Sequence, residues 1–298
     1  MNNDYEAEQD MILVTGASGK TGRSVLKALL EKQALVRAFV RDAKAGEQLK
    51  ILGVKEVFLG DLNQEEDLRR ACKGVKTIYH IPPNMCADEV SIAQKLLKAA
   101  KANDVERFVY HSVLHPQVEA MPHHWQKMRV EEKLFESGIA FTILQPAAYM
   151  QNILAYWQDI TQSGIYQVPY APRTRLGMVD LSDVAEAASK VINEDSHSGA
   201  IYELAGTECL TQTEVAQVLS DELGREVKAE KLELAEWEKR ARMNGLGGYA
   251  LETLKKMFVY YEQFGFWGNG NVLSWLLGRP ATTFRDFVKR VIKEMQYG

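Results

Sequence analysis

The sequence predicts an α/β protein: a Rossmann-type, doubly wound parallel sheet with a smaller, mostly helical C-terminal lobe on the substrate side. Short apolar runs alternate with amphipathic segments from residue 11 to about 146, the rhythm of right-handed strand–helix–strand crossovers. Three glycines, Gly16, Gly19 and Gly22, fall where the first strand would hand over to the first helix. Beyond Pro146 the alternation gives way to turns and helices.

Taken in order, "MILVTG" is a compact strand and "KTGRSVLKALLEK" a helix, because Val25, Leu26, Leu29 and Leu30 recur at helical spacing. "ALVRAFVRD" and "VKEVFLGD" read as the next strands, followed by a charged helix in "QEEDLRRACKG". Then come a strand in "VKTIYHIP", a helix in "ADEVSIAQKLLKAAKAN", a strand in "RFVYHSV", a helix near 124–137 and a strand in "AFTILQP". In the second half "GIYQVPYAP" is turn-rich, and "MVDLSDVAEAASKVINED" is a strand and then a helix. Thr211 with Glu214 three residues on is a capping-box signature. Helices follow in "LETLKKMFVYYEQFGFWGN" and "TTFRDFVKRVIKEM", with a loop or helix junction between Phe264 and Trp275. The expected division is a disordered acidic tail (1–10), a Rossmann domain (11–146) and a substrate-side lobe (147–298) partly interleaved with the last strands of the sheet.

Bulk properties exclude several classes of function. A net charge of -4 with no basic run gives no electrostatic reason to bind nucleic acid or an acidic membrane. "MNNDYEAEQD" lacks the basic start and apolar run of a signal peptide, and no stretch approaches the roughly 18 apolar residues of a membrane span. Cys72, Cys86 and Cys209 are far apart and form no CxxC pair, which suits reduced thiols. A soluble, cytoplasmic protein is expected.

The strongest chemical signal is "VTGASGKTG". Glycine is needed where the backbone turns tightly and where a side chain would block a pyrophosphate. The helix that follows offers free backbone N–H groups and a partial positive charge to that anion. Strand before and helix after make a dinucleotide the expected cofactor. The second strand indicates which one. "LVRAFVRDAK" carries Arg37, Arg41 and Lys44, and a guanidinium at Arg41 can clasp a 2'-phosphate in two-point geometry. NADP(H) is therefore favoured, while Asp42 keeps NAD(H) open. Arg37 reads equally well as a residue on a solvated strand face.

The motifs "VTGASGKTG", "VRAFVRD", "GDL" at 60–62, "HIPP" at 80–83, "RFVYHSV", "KMRVEEKLFESGIAFTILQPAAYMQN" and "NVLSWLLGRPATTFRDFV" occur in one order along nearly the whole chain. In this the sequence resembles the NmrA-like branch of the atypical short-chain dehydrogenases/reductases, related to isoflavone-type and quinone or dye reductases. The resemblance implies that Thr15, Gly16, Ser18, Gly19, Lys20, Thr21 and Gly22 hold the pyrophosphate, with Arg41 near the 2'-phosphate. It implies that Asp61 and Leu62 border the adenine and that Ile81 and Pro82 line the nicotinamide side. Lys127 would reach the nicotinamide ribose, and Pro146, Tyr149 and Asn152 would close the cofactor against a substrate cleft. Asp61, His80 and Ser112 each follow a strand, the edge where open α/β sheets bind ligands, and His80 is placed with the substrate. Ile81 and Pro82 equally suit a rigid strand-exit turn, and Asn152 a helix cap.

Reductases of the wider family protonate a carbonyl oxygen with a Tyr-x-x-x-Lys pair. No tyrosine here has a lysine four residues later, and His123 stands four before Lys127, on one helical face if the helix starts early enough. Three readings compete: His123 or His124 supplies a proton near neutrality; an acceptor such as a quinone or cationic dye takes hydride directly; or the protein binds NADP(H) to report redox state to a regulatory protein partner. Ser112 is a candidate to touch substrate or the nicotinamide amide, or to satisfy nearby backbone groups. His80, His111, His115, His123 and His124 cluster in sequence, but without HExxH or a cysteine pair no metal is expected. Tyr260, Tyr261, Phe264, Phe266, Trp267 and Trp275 are read as lobe core or as the wall of a pocket for an aromatic small molecule, Trp267 being assigned to substrate. The leading expectation is an NADPH-dependent reductase of a small electron-poor, quinone-like substrate by direct hydride transfer, with the NADP(H)-sensing regulator as its alternative. A sugar-nucleotide epimerase or dehydratase is weaker, since that chemistry needs a strong base where the tyrosine is missing.

Overall fold

The computed structural model describes residues 10–297, so the expected tail lies outside the described residues apart from Asp10. The first half contains β1 (Ile12–Val14), α1 (Lys20–Glu31), β2 (Val36–Val40), α2 (Ala43–Ile51), β3 (Glu56–Leu59) and α3 (Glu65–Ala71). It continues with β4 (Thr77–His80), α4 (Glu89–Lys101), β5 (Arg107–His111), α5 (Pro122–Phe135) and β6 (Ala140–Pro146). A seven-stranded parallel sheet results, in the order β3-β2-β1-β4-β5-β6 and then β10 (Ile201–Leu204), which joins from the second half of the chain.

Helices cover both faces, so the central strands are apolar throughout instead of alternating. In β1, Ile12 and Val14 face the layer that holds α1, while Leu13 faces the layer of α3, α4 and α5. α1 packs beside α7 (Leu181–Asn193), presenting Val25, Leu26 and Leu29 to the core. The strand order reverses between β1 and β4, and the crevice outside their carboxyl ends is where such sheets receive ligands.

The remaining elements are β7 (Ala148–Tyr149), α6 (Trp157–Ser163), β8 (Ile165–Val168), β9 (Arg175–Val179), β11 (Cys209–Thr211), α8 (Gln212–Leu223) and β12 (Lys228–Lys231). After them come α9 (Leu234–Met243), α10 (Gly248–Phe264), α11 (Gly270–Leu277) and α12 (Phe284–Tyr297). β7, β9 and β11 form a small sheet, and β8 pairs with β12. The capping box at Thr211 and Glu214 is formed and starts α8.

Three local readings are corrected. α2 was not anticipated, because it buries only Gly46 and Leu49 and so shows almost no periodicity; its signal is Asp42, whose carboxylate accepts from Lys44 N–H as an N-cap. The "turn-rich" Gly164–Pro172 stretch contains β8, which depends on a partner 63 positions away in register. The junction between Phe264 and Trp275 contains the start of α11, capped by Asn269. No helix among the described residues is long and apolar enough to cross a membrane, and Cys72, Cys86 and Cys209 are free.

Candidate active site

The glycine loop divides its work among three residues. Gly16 has φ +62°, and a Cβ there would lie 2.7 Å from the Ile81 carbonyl oxygen at the end of β4. A Cβ on Gly22 would lie 2.3 Å from the Gly16 oxygen, so this glycine lets α1 close onto the loop. Gly19 is exposed, and its nearest neighbour would be 3.4 Å away. Nothing in the protein forbids a side chain there, but a ligand approaching the loop would. Gly19 also begins α1, which has no side-chain cap and no acid in its first turn, leaving its N–H groups to an anion. These residues fit a dinucleotide pyrophosphate. Ser18 and Lys20 are exposed and Thr21 half-buried around the same opening.

Thr15 is buried beneath the loop, where its hydroxyl contacts Ile81 N–H and the Ile81 oxygen at 3.0 and 3.2 Å. His80, expected on the substrate side, is also fully buried, with Nδ1 2.8 Å from Thr15 Oγ1. Burial pushes its pKa down to about 3, so it is a neutral brace for the loop and does not face a cleft. Ile81 and Pro82 are buried at the strand exit.

At the end of β2 the basic residues separate. Arg37 is committed to the fold: it donates to Glu56 and to the Ala71 and Lys73 carbonyls, each at 2.7 Å. Asp42 is occupied as the α2 cap. Arg41 is exposed and makes no hydrogen bond or ion pair among the described residues. Asp61 is half-buried with Oδ1 accepting from Asn63, and Leu62 is buried.

β5 deals its side chains to opposite faces. Tyr110 and Ser112 turn towards α4 and α5. There Glu89 Oε1 accepts from Tyr110 Oη at 2.6 Å and from Lys127 Nζ at 2.8 Å, with both charged groups buried. Lys127 Nζ lies 3.4 Å from the His111 carbonyl oxygen. α5 starts at Pro122, so His123 does share the inner face with Lys127 and Glu131. His123 Nδ1 is 4.0 Å from Glu89 Oε2, but burial and the nearby Lys127 charge hold its pKa well below the ordinary value. His124 is pushed down to about 4, again mainly by burial. The expectation of a histidine titrating near neutrality is therefore corrected for both. Ser112 is buried, and its hydroxyl donates to Glu131, which also accepts from Gln145 Nε2 at 2.9 and 3.0 Å. Its proton is committed inward.

His111 turns the other way, into the crevice side. Its Nδ1 is 2.7 Å from Tyr79 Oη and its Nε2 2.6 Å from Tyr149 Oη. Tyr149 is half-buried beside the glycine loop, with Lys20 Nζ 6.0 Å from its ring centre. The Lys20 ammonium also donates to Asn152 Oδ1 at 3.3 Å, tying the segment after Pro146 to the loop. The aromatics of the lobe divide: Phe266 and Tyr261 are buried and stacked at 5.0 Å, whereas Trp267 is 48% exposed and Trp275 74%. Phe266 also packs on His115 and His124 at 5.6 and 5.4 Å. No group of three or more potential metal ligands occurs among the described residues.

Sequence reasoning missed Glu89 and the Tyr79–His111–Tyr149 chain. Glu89 had a signal: it stands at the head of the stripe Glu89, Ile92, Ala93, Leu96, Ala100, a carboxylate on the buried face of α4. The tyrosine–histidine chain had none, because its members come from three strands.

Fold and loop together define a Rossmann-type protein with a glycine cradle suited to a dinucleotide. Residues 8–288 match the NmrA-like family, and the chain belongs to that family. It is 28% identical over 281 residues to an NAD(P)H azoreductase of Xenophilus azovorans, covering 94% of this chain and 97% of the relative. An NADPH-dependent quinone oxidoreductase of Escherichia coli, solved with NADPH, superposes with a TM-score of 0.84 at 28% identity, covering 95% of this chain and all of the other. A triphenylmethane reductase of Citrobacter sp. does so with a TM-score of 0.84 at 25% identity, covering 95% and 99%.

Proposed function

We propose that this chain is an NADPH-dependent reductase of a small electron-poor acceptor, of the quinone or dye type. The observation that carries the reading is the uncapped start of α1 behind three glycines, opening into the crevice between β1 and β4. The α1 N–H groups and Lys20 would hold the pyrophosphate, and the free Arg41 guanidinium the 2'-phosphate. Thr15 and His80 brace the loop from below. Asp61, Leu62, Ile81, Pro82 and Pro146 line its course, and Asn152 with Trp267 border the side open to substrate. A bound reduced nicotinamide would supply a hydride, and the protein's part is to position it. Lys127 is paired with Glu89 and Ser112 with Glu131, and burial keeps the His123 ring neutral, so none of these three is a ready acid at neutral pH. That suits acceptors that take hydride directly.

The test is NADPH absorbance followed against quinones, azo dyes, cationic dyes and enones. Oxidation of NADPH by one of these classes, with NADPH preferred to NADH, supports the reading. Tight NADPH binding without turnover of any would replace it with a cofactor-sensing regulatory role.

A further inference from the structure

We infer that Tyr149 is the proton donor to the reduced acceptor, its hydroxyl hydrogen aimed into the crevice by a one-way chain from Tyr79 through His111. This rests on the reductase reading above. The direction of the chain follows from satisfying buried hydrogens. Tyr79 is fully buried, and His111 Nδ1 is the only partner of its hydroxyl among the described residues. Its proton therefore points at Nδ1, because any other orientation leaves a buried O–H without an acceptor. Nδ1 then carries no hydrogen, and in a neutral imidazole the single N–H is on Nε2. His111 is neutral, since burial and the neighbouring Lys127 charge hold its pKa down to about 3. Nε2–H consequently donates to Tyr149 Oη, 2.6 Å away, so the hydrogen of Tyr149 is not directed back at His111. Tyr149 is half-buried beside Lys20 and Asn152, at the mouth where the first helix meets the end of β5.

Burial raises the pKa of Tyr149, and the Thr21 side chain opposes that rise only in part. The His111 N–H points at the oxygen that donation would leave anionic. The step balances simply. A quinone that took a hydride from a bound reduced nicotinamide, whose C–H bond would break, would gain one O–H and leave its second oxygen anionic. The Tyr149 O–H bond would then break and its proton complete the quinol. Water entering the open crevice returns the proton to Tyr149.

The acceptor itself separates this role from mere cofactor contact. A quinone needs a proton after hydride arrives, whereas a cationic triarylmethane dye becomes neutral by accepting hydride at carbon and needs none. Tyr149→Phe should lower turnover of a benzoquinone by about 100-fold more than turnover of the dye. Tyr79→Phe removes the donor to Nδ1 and should give a smaller loss confined to the quinone. Nitrogen NMR of His111 in the cofactor-free protein should show Nδ1 unprotonated and Nε2 protonated. Equal loss with quinone and dye, or no loss with either, overturns the donor role. A proton on Nδ1 overturns the direction of the chain. If the wild-type chain turns over neither acceptor, the reductase reading fails and the donor role with it, while the spectrum still decides the hydrogen-bond direction.

Discussion

The two faces of β5 carry two polar clusters of opposite character. Towards α4 and α5, Glu89, Lys127, Tyr110, Ser112, Glu131 and Gln145 are buried and bonded to one another. Towards the glycine loop, the chain from Tyr79 through His111 ends on a hydroxyl beside open N–H groups and an exposed lysine. The difference is that the lysine of α5 is paired with a buried carboxylate, while the hydroxyl across the sheet lies beside exposed groups. Burying charges is costly, and a buried pair roughly offsets that cost only while both partners remain. The groups left free to meet a ligand lie across the sheet.

The largest expected effect breaks the closed cluster. Glu89→Ala leaves Lys127 buried without its counter-ion and Tyr110 Oη without an acceptor, and should cost about 3–5 kcal/mol in urea unfolding. A loss below about 1 kcal/mol would mean that the ammonium finds water, and the cluster would not be closed. Next comes acidification. His80 and His111 have folded pKa values near 3 against an ordinary value of 6.5, and those of His123 and His124 are also lowered. Below pH 6.5 the unfolded chain binds these protons and the folded chain does not, so stability falls as pH drops from about 6.5 towards 3. One such histidine accounts for about 2 kcal/mol between pH 7 and pH 5. Flat stability across that range would place the rings in water.

On the open side, Gly22→Ala drives a Cβ to 2.3 Å from the Gly16 oxygen, and should cost about 1–3 kcal/mol while weakening NADPH binding disproportionately. The smallest effect separates two arginines of one strand end. Arg41→Ala should weaken NADPH by about 10-fold with little change for NADH, consistent with loss of a charge-assisted contact. Arg37→Ala should lower stability through its lost Glu56, Ala71 and Lys73 bonds and leave the ratio of the two affinities unchanged.

Much of this was legible in the sequence where spacing is local. The glycine loop, the strand–helix alternation and the α8 capping box each lie within one short stretch, and all three formed as expected. What escaped depends on partners distant in sequence. β8 is stabilised by β12, and α2 by its cap rather than by an apolar stripe. In the site, residue types drew attention to α5 and the strand ends, but pattern alone does not reveal that Lys127 is paired with a buried glutamate. The alternation of β5 places Ser112 and His111 on opposite faces, and that single register fact decides which of them faces the loop.

The central claim is that ligand binding belongs to the glycine-loop side and that Glu89 with Lys127 is internal scaffold. The double change Glu89→Gln with Lys127→Met removes both buried charges at similar volume, avoiding an orphaned ion. NADPH titration by calorimetry on this variant should give a Kd within about threefold of the unaltered chain, since neutral replacement of a complete buried pair is tolerated. A well-folded variant whose NADPH affinity falls tenfold or more would show that Lys127 reaches the cofactor, and would contradict the account.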